Sequence, residues 1–178
     1  MEVMEAIYGR RSVRSYAEGG QVSEEQVKEL LKAAMAAPSA HNGQPWHFVV
    51  LDERGAIDKV ADILEFAQMA RKAPLAILVC GDSTVPTHGF WVQDCAAAIQ
   101  NMLIAAVGMD LGAVWTGIYP GQEYIAKFQQ AFDIPKEIIP LGCVIVGRPK
   151  NPPKSGTRYK SCRIHRNGWQ ASDLAKCA

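Results

Sequence analysis

Leu75-Ala76-Ile77-Leu78-Val79-Cys80 is a run of six apolar residues with no polar break. It is too short to form a helix of its own, and nothing in it alternates. It therefore reads as a central strand buried on both faces. A strand of that kind needs helices over it, and the flanking sequence supplies them. Before it, residues 47–51 read as a strand and 56–70 as a helix. After it, 93–107 is apolar nearly all round and rich in small side chains (Ala96, Ala97, Ala98, Ala105, Ala106), as expected of a helix buried on most faces and closely packed. Farther out, 112–118 and 140–146 read as strands, with a helix over 122–132 between them.

Towards the N-terminus, residues 1–9 read as a short helix. The clearest helix spans 23–36. Ser23 and Gln26 have capping-box spacing, and Val27, Leu30, Leu31, Ala34 and Met35 repeat at i, i+3, i+4, i+7 and i+8. Pro38 ends it, because the residue before a proline avoids the helical region. Helices and strands thus alternate along most of the chain, which predicts an α/β (α+β) class rather than a hairpin meander.

A chain of 178 residues fits one domain over 1–178, burying roughly 70% of the surface its unfolded form exposes. The formal net charge is +1, so no nucleic acid or other bulk polyanion is expected as a partner. The N-terminus is acidic and amphipathic, unlike a secretory signal. The longest apolar stretch, 95–107, is interrupted by Gln100 and Asn101 and is too short to span a bilayer. No membrane association and a cytoplasmic location are expected. Cys80, Cys95 and Cys143 sit in apolar segments, and Cys162 and Cys177 complete an odd set of five. That pattern predicts reduced thiols rather than a disulfide framework. Cys162 and His165 alone do not make a metal site, which needs three or four ligands, so no metal is expected.

Two polar clusters flank the 23–36 helix. Arg10-Arg11-Ser12-Val13-Arg14 places three guanidiniums and a hydroxyl within five residues. Guanidinium forks donate two parallel hydrogen bonds and suit phosphate. In an extended segment Arg10, Ser12 and Arg14 project to one side. A solvated basic turn is the competing reading. Pro38-Ser39-Ala40-His41-Asn42-Gly43-Gln44-Pro45-Trp46 mixes prolines, small residues and amides ahead of a strand. It is shaped to receive a planar polar ligand, although a capped helix end with Asn42 in a local turn would use the same residues. Together the clusters suggest a phosphorylated, ring-bearing cofactor. Gly147-Arg148-Pro149 adds a cation at a strand end. Thr116 and Gly117 close the 112–118 strand, where backbone amides could face a ligand, and Trp115 is either core or pocket wall. His41, His47, His88 and His165 show no catalytic arrangement.

The Arg-Arg-Ser-x-Arg start, the Ala-Pro-Ser-x-x-Asn-x-Gln-Pro-Trp loop and the later Gly-Arg-Pro resemble the FMN-dependent nitroreductase family, in a compact form, over roughly residues 4–169. The resemblance implies a central mixed sheet wrapped by helices, in a homodimer whose C-terminal segment extends onto the partner subunit; the Pro-rich stretch with Pro152, Pro153 and Lys154 could not fold alone. It implies FMN as cofactor, with Arg10, Ser12 and Arg148 on its phosphate and Arg14 nearer the ring. Arg11 would point to solvent or the ribityl chain, and Gly147, just before Arg148, would also belong to the cofactor site. Thr116 and Gly117 would meet the N5/O4 edge. Pro38, Ser39, Ala40, Asn42 and Gln44 would come from the opposite subunit. In larger relatives a further polar contact reaches the pyrimidine edge; here Gln68 or Lys72 are the residues in the matching stretch.

The implied activity is an NAD(P)H oxidoreductase reducing nitroaromatics, quinones or similar planar acceptors by ping-pong hydride transfer through flavin N5, with NADH or NADPH as donor and no catalytic side chain. On the same scaffold, reductive dehalogenation, flavin fragmentation and a non-catalytic FMN-binding role are the alternatives. A metal-binding regulator using Cys162 and His165 is the rival from outside the family.

Overall fold

The structure is a computed structural model describing residues 2–151 and 156–169. Pro152, Pro153, Lys154 and Cys177, which figured in the expectations above, lie outside the described residues. The strands are β1 (Trp46–Leu51), β2 (Leu75–Asp82), β3 (Gly112–Gly117) and β4 (Ile138–Gly147), arranged β1-β2-β4-β3. All three pairings are antiparallel. Among the described residues, the only parallel element is an isolated bridge between Ser12 and Ala113. The α/β class is therefore observed, with its mixed character confined to that bridge. β2 is buried from Leu75 to Gly81, as the unbroken apolar run requires, and its partner β4 is buried from Pro140 to Gly147.

Helices cover both faces. On one, α2 (Glu24–Met35) and α4 (Trp91–Gly108) pack over Ile77, Val79, Val144 and Val146, with Ile99 and Met102 of α4 fully buried. Ser23 caps α2 through the expected reciprocal pair with Gln26. Asn101 Nδ2 donates to the Ala33 carbonyl at 3.1 Å, tying the two helices together. On the other face, α3 (Arg54–Ile63) and α5 (Gln122–Ala131) enclose Leu78, Cys80, Cys143 and Ile145. The short α1 (Val3–Gly9) packs against α4.

The helix expected over 56–70 is instead broken at Leu64, which is extended (φ −107°, ψ 102°), and continues as a 3-10 helix, Glu65–Lys72. Leu64 is fully buried. The chain doubles back there, so Gln68 Nε2 donates to the Ala61 carbonyl at 2.7 Å and Arg71 pairs with Asp58 and Asp62. Ile57, Val60, Ala61, Leu64 and Ala67 keep helical spacing across the break, so periodicity does not reveal it.

The arginine-bearing segment is seated on the end of the sheet by a pair of opposed glycines. Gly112 of β3 faces Gly147 of β4. A Cβ on Gly112 would lie 2.8 Å from the Val13 side chain, and one on Gly147 would lie 2.9 Å from the Tyr16 ring. The missing side chains are the space those two residues fill. Tyr16 is 3% exposed, and its hydroxyl lies 2.8 Å from the Val13 carbonyl and 3.0 Å from that of Ile145. Beyond it, Ala17 N donates to the Arg148 carbonyl and Lys150 N to that of Ser15, which zips the segment to the chain leaving β4.

Cys80, Cys95 and Cys143 are buried free thiols, as expected. Cys162 is disulfide-bonded, so the expectation of reduced thiols is corrected there.

Tyr16→Phe should cost about 1–2 kcal/mol, the usual cost of losing a buried hydrogen bond, read by urea denaturation. The same core also sets an alkaline limit. Burial raises Tyr16 well above the ordinary phenol range. It pushes the Cys80, Cys95 and Cys143 thiols from 9.0 to about 12. Because the folded values lie above the unfolded ones, the stabilisation is complete below pH 9 and lost as pH rises towards 12. Stability should fall over that window by up to about 1.4 kcal/mol per pH unit for each thiol, and Cys143→Ala should make the slope shallower.

Candidate functional site

The sheet has two ends, and the polar clusters lie at diagonal corners of it. Arg10–Arg14 and Arg148 sit where β3 begins and β4 finishes, since Ser12 bridges Ala113 and Gly112 pairs with Gly147. The Pro38–Gln44 loop precedes Trp46, which pairs with Gly81 at the opposite end and opposite edge. Six residues of strand and three strand spacings separate the corners by roughly 20 Å in one direction and roughly 14 Å in the other.

At the first corner Arg10 is half-buried, while Ser12, Arg14 and Arg148 are exposed. Neither Arg10, Arg14 nor Arg148 forms an ion pair with a carboxylate among the described residues. Partial burial, with Arg158 and Arg11 beside it, lowers the pKa of Arg10. Three arginines at one corner of the sheet, left without a paired carboxylate among the described residues, make a setting for an anion. Arg11 is otherwise engaged: Nη1 donates to the carbonyls of Tyr8 (2.7 Å) and Arg10 (2.8 Å), and Nη2 to that of Gly156 (2.7 Å). It thereby caps α1 and draws the returning chain alongside. A cleft of about 1080 Å³ lies there, lined by Glu5, Tyr8, Arg10, Arg11, Arg158 and Tyr159 among others.

At the second corner Ala40–Asn42 forms a 3-10 turn, and His41, Asn42 and Gln44 all have left-handed backbone, with φ of 53°, 54° and 48°. Such conformations cost about 1–3 kcal/mol each for residues with side chains, least for asparagine. Local bonds offset this: Gln44 N donates to Ser39 Oγ at 3.0 Å, Gln44 Nε2 to Asn42 Oδ1 at 2.8 Å, and Ala40 N to Asp94 Oδ1 at 3.0 Å. Asn42 thus does make a local contact, yet its Nδ2 and the Gln44 Oε1 stay without a hydrogen-bond partner among the described residues. The His41 and His88 rings meet edge-on at 5.2 Å.

Thr116 and Gly117 end β3 at the same end of the sheet as this loop, but at the other edge. Thr116 is buried and its Oγ1 donates to the Cys143 carbonyl at 2.9 Å, so only its backbone could face a ligand. Gly117 is exposed, with open space above its Cα. Trp115 is 38% exposed, with its indole over Gly142. It is therefore not part of the buried core. Gln68 uses both ends of its amide, donating to Ala61 and accepting from Arg71, whereas Lys72 is exposed. His165 stacks on Trp169 at 4.2 Å, and the disulfide takes Cys162 out of service as a thiolate ligand.

Two residues that matter to these corners were not singled out by sequence reasoning. Asp94 could have been found as the lone acid entering an apolar helix, since such residues are rarely buried without a purpose. Tyr16 carried no such signal, because its burial depends on a glycine 131 positions later.

A family model described as the nitroreductase family matches residues 7–75 and 64–148. A protein of Methanothermobacter thermautotrophicus with the provisional name NADH dehydrogenase/NAD(P)H nitroreductase is 41% identical over 170 residues, covering 95% of this chain and 88% of its own. A crystal structure from Parabacteroides distasonis with the same provisional name superposes with a TM-score of 0.90 at 40% identity, covering 94% of this chain and 98% of that one. Another, from Desulfovibrio desulfuricans and described as a provisional nitroreductase in complex with FMN, gives a TM-score of 0.79 at 30% identity, covering 96% and 99%. No helix among the described residues is long and apolar enough to cross a membrane. With two relatives near 40% identity along almost their whole length, and a fold that superposes, the chain belongs to the nitroreductase family.

Proposed function

We propose that the chain is an FMN-dependent oxidoreductase that takes reducing equivalents from NADH or NADPH and delivers them to a planar acceptor such as a nitroaromatic or a quinone. The observation that carries this reading is the uncompensated cation cluster of Arg10, Arg14 and Arg148 beside the Ser12 hydroxyl at the start of the edge strand β3. Guanidinium donors that no carboxylate pairs among the described residues, with a hydroxyl in the same segment, fit a phosphate monoester. The FMN bound in the Desulfovibrio desulfuricans structure supports the same choice of cofactor.

FMN would supply the electron chemistry when bound, and the protein would bind, orient and tune it. Arg10, Ser12 and Arg148 would hold the phosphate, anchored through the seat of Val13 and Tyr16 on the glycine pair. Arg14 would lie towards the ring, where a fixed positive charge favours the electron-rich form. The backbone of Thr116 and Gly117 would face the ring edge, with Trp115 as a wall. Arg11, occupied by three carbonyls, would act on the ligand only through the cleft it shapes.

The Pro38–Gln44 loop is on the opposite edge of its own sheet. A second copy of the chain, offering this loop to the phosphate-binding edge of the first, would complete the pocket. This makes a homodimer the functional unit. α1 leaves Val3, Met4 and Tyr8 more than half exposed, an apolar stripe in keeping with such pairing.

A flavin-fluorescence titration should show one FMN per chain. Arg10→Ala should weaken binding roughly ten- to a hundredfold, as expected for losing a charge-assisted bond. Anaerobic NADH or NADPH should bleach the flavin, and a nitroaromatic or quinone should restore its colour. Light scattering should give about twice the 19.4 kDa chain mass. Absence of FMN binding would overturn the reading, and a monomer that binds FMN normally would overturn the shared pocket.

A further inference from the structure

Among the described residues, the loop with three left-handed residues makes one hydrogen bond outside itself. Asp94 lies in the first turn of α4 and is 6% exposed. Side chains on a helix lean towards its N-terminus, which directs this carboxylate to the loop. Oδ1 accepts the Ala40 N–H at 3.0 Å. Oδ2 is buried with no hydrogen-bond partner. Among the described residues, the loop amide is therefore the only hydrogen bond this carboxylate makes.

For stability alone this is a poor use of a buried position. A carboxylate removed from water is costly unless well paired, and an apolar side chain would serve the core better. The benefit falls on the loop. Ala40 stands between Ser39, whose hydroxyl holds Gln44 N, and the left-handed pair His41 and Asn42. Fixing the Ala40 amide to α4, whose Cys95, Ala98 and Ile99 are fully buried, fixes where that turn begins.

We propose that Asp94 is the positioning residue of the ring-side loop. Acting through the Ala40 N–H, it holds Asn42 and Gln44 in their ligand-facing arrangement without touching the cofactor. The ligand readout of this inference rests on the flavin reading above; the loop readout does not.

The test uses the full-length protein and two measurements: FMN affinity by fluorescence titration, and amide hydrogen exchange over residues 39–44. Asp94→Ala should weaken FMN at least tenfold and speed exchange in the loop at least tenfold, while β2 and β4 exchange as in the wild type. Asp94→Asn keeps a carbonyl acceptor for Ala40 and should restore both values to within about threefold. Ala40→Pro removes the donor instead, and should reproduce Asp94→Ala even if that variant fails to fold. Wild-type affinity and loop exchange in Asp94→Ala would overturn the proposal, as would an Asp94→Asn protein as impaired as the alanine variant. If the wild type itself binds no FMN, the flavin reading fails while loop exchange still decides the role of Asp94.

Discussion

The β2–β4 pair has no face towards water, and the rest of the architecture answers to that. Two strands buried on both sides must lie in the middle of the sheet, with a helical layer on each face. α2 and α4 form one layer, and α3, its 3-10 extension and α5 the other. Ligand-binding segments cannot enter that interior. They can attach only at the ends of the strands and along the two marginal strands β1 and β3. Both polar clusters are found there, one against the start of β3 and one ahead of β1.

The corners are secured in different ways. The arginine segment is held by shape and backbone: Val13 and Tyr16 fill the room left by Gly112 and Gly147, and main-chain bonds join residues 15–17 to 148–150. Arg10 and Arg14 are thereby left without a carboxylate partner among the described residues. The Pro38–Gln44 loop is held by side chains, namely Ser39, Asn42, Gln44 and the distant Asp94. A shape-held segment tolerates changes to its outward residues. A loop held by four polar side chains does not, because each bond there also sustains an unfavourable backbone conformation.

What could be read from the residues follows the same division. The central strand, the α2 capping box and the buried α4 rest on local pattern, and the structure has them at nearly the expected bounds. The break at Leu64 was hidden because the apolar spacing continues through it while the chain turns to let Gln68 and Arg71 reach α3. The polar clusters were visible as composition, but their separation to diagonal corners was not. That separation is a property of strand order, which depends on pairing between residues far apart in the chain. Asp94 escaped because its importance lies in one bond to a residue 54 positions away.

The segment carrying Ser12 and Val13 has one more consequence. β3 is a marginal strand, and such a strand offers unpaired peptide groups on which another chain can template. Ser12 and Val13 lie against its first half, where Val13 N donates to the Ala113 carbonyl. Arg10, Arg11 and Arg14 flank that contact with repulsive charge. The same five residues therefore cover part of that edge and surround it with like charge, an arrangement that disfavours edge-to-edge pairing.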